Sequence, residues 1–133
     1  MNLINLKKST LELSISMHEL LTMSQAINEA YNGLHIPERE AIIGMERADA
    51  RKLLRKFRAA YEDMEKLGKC KLQDTTHMLF EMRELLAIEK SFHEVNKQLD
   101  INDFSTRMGA QIEEADSYLK QLKSIIEKVS EGA

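Results

Sequence analysis

Apolar and small residues recur at alternating spacings of three and four from the start of the chain: Leu3, Leu6, Thr10, Leu13, Met17, Leu20, Ser24, Ile27, Tyr31 and Leu34. That spacing keeps one stripe on a single helix face and fits a coiled-coil-like seam. It predicts a first helix over 3–32, closed by Gly33, because glycine tolerates a left-handed cap. Ser9 and Glu12 offer a capping box near its start.

Pro37 suits a first helical position, with Glu38 and Glu40 beside the positive end of the helix dipole. Ile43, Ala50, Leu54, Phe57, Tyr61 and Met64 then mark a second helix over 37–67, stopped by Gly68. Met78, Met82, Leu85, Phe92 and Leu99 mark a third over 72–99. Asp100, Asn102 and Asp103 form a turn-rich joint. Met108, Ile112, Ala115, Leu119, Leu122, Ile126 and Val129 mark a fourth over 104–130. Short joints force sequential helices to run antiparallel. The expected fold is therefore all-α: an antiparallel, up-down-up-down four-helix bundle in one domain, 1–133. A helical hairpin that completes its core by dimerising is the structural rival, and a homodimer stays open.

Composition agrees with helices. Aromatic residues are 5%, tryptophan is absent and only one proline occurs, so little favours strands. Charged residues at 31% beside 43% hydrophobic ones describe a folding chain rather than a disordered one. No apolar run reaches the roughly 20 residues of a membrane span. The single cysteine, Cys70, has no internal partner for a disulfide, which points to a reducing, cytoplasmic setting.

Net charge of −3 lowers the expectation of a nucleic-acid binder, yet one segment is strongly basic. Arg47, Arg51, Lys52, Arg55, Lys56 and Arg58 are interrupted by one acid, Asp49. Such a row can contact phosphates or the acidic rim of a protein partner. The plainer reading is a solvated face, because 37–68 carries seven acids against eight bases. Folding the expected helices back on one another sets Glu89, at an inward position, level with Arg47 and Arg51. A buried ion pair between Glu89 and Arg51 follows as an expectation.

Chemistry is sparse. No glutamate is followed by histidine three positions later, as a di-iron bundle requires, so no metal and no cofactor are expected. Asp74/His77 and Glu89/His93 are the nearest fragments. Cys70, flanked by Lys69 and Lys71, has no histidine nearby in sequence. No phosphate-binding loop or nucleophile elbow occurs, and no catalytic residue is assigned. Gly44 and Gly109 fall inside expected helices, where each costs about 1 kcal/mol. With Ser24 and Asn96 they suggest either close helix packing or a cleft at one end of the bundle. Eight methionines suit an adaptable surface as well as a core.

The expected function is a non-catalytic protein–protein interaction module, such as a small chaperone, adaptor, inhibitor or immunity-type protein. The alternative is a nucleic-acid-binding regulator or assembly subunit that uses the basic row.

Overall fold

The chain begins with strands, not a helix. A computed structural model describes residues 1–132. Strand β1 (Asn2–Lys7) pairs antiparallel with β2 (Thr10–Ser16) around a two-residue turn at Lys8 and Ser9, with Lys8 at φ 49°. Leu11, Leu13 and Ile15 are buried, while Thr10, Glu12, Ser14 and Ser16 between them are only half-buried. This period of two is the strand pattern. Leu13 of the expected first helix belongs to this alternation as well as to the helical stripe.

The α+β architecture overturns the four-helix bundle. A third strand, β3 (Thr75–Glu81), lies antiparallel on the far side of β2, giving sheet order β1-β2-β3. Met78 and Phe80 point into the core, and His77 and Leu79 point out. Residues expected to open the third helix thus complete the sheet.

Helix α1 (Met17–Asn28) leaves β2 with no loop. Ser16 Oγ accepts from Glu19 N at 3.1 Å, and Glu19 Oε1 accepts from Ser16 N at 2.8 Å. This is a complete capping box, seven residues beyond the Ser9/Glu12 pair expected to form one. A π-helical turn, Glu29–Gly33, ends the helix. The 37–67 helix is really two: α2 (Arg39–Ile43) and α3 (Arg47–Lys66). The 104–130 helix is also two: α5 (Ile101–Met108) and α6 (Ile112–Gly132). Gly44 (φ 81°) and Gly109 (φ 69°) stand at the breaks as left-handed caps. Their cost inside a helix is avoided because the helices stop there. Helix α4 (Met82–Gln98) follows β3 directly.

Helix α1 is packed against α3 and α4, and α4 against α6. Phe57, Phe80, Phe92 and Phe104 are fully buried, one each from α3, β3, α4 and α5. The Phe57 and Phe80 rings lie 5.9 Å apart, joining α3 to the sheet. The main chain from Met17 and His18 donates to Asp74 and Leu72, so the start of α1 lies beside the segment after α3. At the other end Arg47 reaches Asn32. Helices α1 and α3 are therefore antiparallel neighbours.

Candidate functional site

Side by side, α1 and α3 do not close completely. A groove of about 430 Å³ runs between them, lined by Leu21, Ser24 and Gln25 on one wall and Leu54, Arg55, Arg58 and Tyr61 on the other. The helical repeat explains the wall on α3. Leu54 and Tyr61 flank the fully buried Phe57 and are half-buried. Arg55 and Arg58 follow next around the helix and are exposed. The result is an apolar floor beside a cationic rim. Leu21 sits on the opposite lip and is 40% exposed.

The basic row splits into two sets. Arg47 Nη2 donates to Tyr31 O at 2.9 Å and its guanidinium lies 5.8 Å from the Tyr31 ring centre. Arg39 donates to Ala30 O and Leu34 O at 2.6 and 2.9 Å. The two arginines thus satisfy carbonyls that the π-helical turn leaves without ladder partners, where a helix C-terminus favours cations. Lys56 Nζ donates to Leu79 O and Glu84 Oε1 at 2.6 and 2.7 Å, over the Phe80 ring at 5.0 Å. Arg51, Lys52, Arg55 and Arg58 remain exposed.

Glu89 is half-buried on α4, and among the described residues it has no cation within ion-pair distance. Arg51 points to solvent instead. The height matching that joined them assumed uninterrupted helices. The ion pairs that do join α3 to α4 are Asp49 with Arg83, at 3.2 Å, and Lys56 with Glu84.

Ser24, Gly44, Asn96 and Gly109 occupy four separate places rather than one cleft. Ser24 lines the α1–α3 groove. Gly44 caps α2 near Lys90. Asn96 donates to Asp116 at 3.3 Å. Gly109 O accepts from His18 Nε2 at 3.0 Å, and His18 Nδ1 meets the Tyr118 hydroxyl at 2.6 Å. With Nε2–H donating to the carbonyl, His18 Nδ1 accepts a hydrogen bond from the Tyr118 hydroxyl, and both ring nitrogens are satisfied. Burial, then Glu114 and Glu19, raise the Tyr118 phenol above the usual tyrosine range.

Of the metal-like fragments, Asp74 accepts from Lys71 N and His77 contacts Glu12 at 2.9 Å. Among the described residues no three His, Cys, Asp or Glu side chains gather as a metal site, and Cys70 is exposed in the joint before β3. No described helix is long and apolar enough to cross a membrane.

Sequence reasoning missed Leu21. It is an apolar residue one position off the stripe beside Leu20, and such an off-stripe leucine is the signal for an exposed contact. Compared with family models, curated proteins and solved structures, the chain matches none of them at a significant level.

Proposed function

We propose that this chain is a non-catalytic protein–protein interaction module, and that the α1–α3 groove is its contact surface. The supporting observation is the groove itself: exposed Leu21 and half-buried Leu54 and Tyr61 border a slot rimmed by Arg55 and Arg58. A partner helix that places one apolar side chain in the slot and carboxylates over the rim fits this chemistry. The apolar anchor would supply most of the affinity, and the arginines its orientation and rate of encounter.

A second reading keeps nucleic acid as the ligand, because Arg51, Lys52, Arg55 and Arg58 are adjacent and exposed. One experiment separates the two. Immobilised wild-type protein and its Leu21→Asp and Arg51→Glu/Arg55→Glu variants are exposed to nuclease-treated native extract and, separately, to DNA and RNA across a salt series. A protein retained by wild type and lost with Leu21→Asp supports the proposal. Salt-sensitive nucleic-acid retention, abolished by the double reversal and indifferent to Leu21→Asp, overturns it in favour of the second reading.

A further inference from the structure

The outer face of α3 carries one line of charge: Arg51, Arg55, Arg58, Glu62 and Glu65, at alternating four- and three-residue spacing and all exposed. Lys52 and Asp63 flank it and extend its two halves. Among the described residues, none of these seven forms an ion pair. The order of the charges opposes the helix. A helix N-terminus repels cations and its C-terminus repels carboxylates, yet the cations come first here and the carboxylates last. Asp49 and Lys66, one in each end turn, follow the dipole, but Asp49 is already held by Arg83. Within the line, Arg58 precedes Glu62 by four positions, the weaker of the two orientations for such a pair. A helix that met only water would gain from the reverse order.

An antiparallel copy of the same helix turns this arrangement into complementarity. A two-fold axis level with Ala60, on the charged face of α3, sets Arg58 against Glu62 of the second copy, and Arg55 against Glu65, each pair occurring twice. The helix dipoles then also run in opposite directions. Ala59, small and exposed, stands beside the axis, and Leu21 and Tyr61 lie on the groove side of the line to add apolar contact. Such a contact is isologous and closes at two subunits.

We propose that α3 is a self-association surface, pairing antiparallel with α3 of a second copy of this chain. The proposal rests on reading the α1–α3 surface as an interaction surface, and it names the occupant. A foreign acidic helix or a nucleic acid would not require the carboxylates at 62 and 65.

Sedimentation equilibrium tests it, over about 10 µM to 1 mM protein at low and high salt. Wild type forms a dimer at low salt whose dissociation constant rises at least about tenfold at high salt. Arg58→Glu alone and Glu62→Arg alone are each folded by circular dichroism and monomeric. The double variant Arg58→Glu/Glu62→Arg dimerises again, and an equimolar mixture of the two single variants forms a heterodimer. Three results overturn the proposal: a monomeric wild type at low salt, a dimer indifferent to both reversals, or no recovery in the double variant and mixture. A monomeric wild type that still loses a captured protein with Leu21→Asp removes the dimer and leaves the broader interaction reading standing.

Discussion

Arg107 of α5 forms a two-armed ion pair with Glu29 of the π-helical turn, across 78 positions of the chain. Its Nε donates to Oε1 at 3.2 Å while Nη2 donates to Oε2. Glu29 is only 6% exposed, so its carboxylate has given up water and depends on this partner. Gly33 lies over the pair. A Cβ there would come within 2.8 Å of Glu29 Cδ and 2.9 Å of Arg107 Nη2. The pair leaves room only for hydrogen.

Arg107→Ala is therefore expected to cost roughly 2–3 kcal/mol, less than a fully buried pair because Arg107 itself is partly exposed. Gly33→Ala should cost a similar amount by pushing the carboxylate off the guanidinium. In a Glu29→Ala background it should be nearly neutral, because the carboxylate is gone and the flexible end of Arg107, no longer held by it, can swing clear. Urea denaturation of the single and double variants measures this non-additivity.

Gly109 offers a test of opposite sign to simple helix propensity. Within a helix, Gly109→Ala would stabilise by about 1 kcal/mol. At φ 69°, with nothing within 4 Å of an added Cβ, the strain is purely in the backbone. Alanine is expected to destabilise by about 1 kcal/mol, and Gly109→Asn by less, since asparagine tolerates the left-handed region better. Thermal melts of the two variants decide it.

Tyr31 donates its hydroxyl proton to Met45 O inside the core. Burial first, then the nearby Glu40 carboxylate, push the phenol up to about 12 from 10.0, against the pull of Arg39 and Arg47. The folded state then holds the proton more tightly than the unfolded chain. The associated stability is complete below pH 10 and is lost as pH rises toward 12, by about 2 kcal/mol. Denaturation midpoints should fall across that window, and less steeply in Tyr31→Phe. At neutral pH the same variant should lose about 1–2 kcal/mol, for the unpaired Met45 carbonyl.

The outer edge of β3 is closed by two lysines: Lys56 donates to Leu79 O at 2.6 Å and Lys69 to Thr75 O at 3.2 Å. Positive charges along a strand edge discourage pairing with another chain. Removing both, as Lys56→Ala/Lys69→Ala, should lower the temperature at which light scattering rises. The loss in chemical stability should stay near about 1 kcal/mol, from the Glu84 contact.

The helices of the second half of each expected rod were legible. The stripe through Leu20 and Ile27 is buried on α1 and continues to Tyr31 in the π-helical turn, and that through Ala50, Phe57 and Met64 is buried on α3. The hairpin was not, because Leu13 belongs both to the three-four stripe and to the period-two set of β2, while Leu3 and Leu6, an odd number of positions apart, extend only the stripe. Leu11 and Ile15 break the tie, since both are buried and neither belongs to the helical stripe. Ser16 and Glu19 also announced the true helix start, but Ser9 and Glu12 have the same spacing. Two signals were physically ambiguous, and the glycines were the tell. Gly44 and Gly109 cost too much inside helices to be there. The groove was half-legible: its arginines stood out as charge, whereas Leu21 is an isolated leucine whose exposure depends on where α3 lies.

The sheet's order has a consequence for synthesis. β2 pairs with β1 after a two-residue turn, but Leu13 meets Met78 only once some sixty further residues have been made. A nascent chain that has emerged only as far as the end of α3 holds a two-stranded ribbon with one side of its middle strand bare. Leu11, Leu13 and Ile15 then wait without their β3 partners Phe80, Met78 and Thr76 beside them. Closing a loop of that length is slow relative to forming either neighbouring helix. The interval before Thr75 leaves the ribosome is thus when this chain is most exposed to mispairing, and a chaperone that holds extended apolar segments would act there.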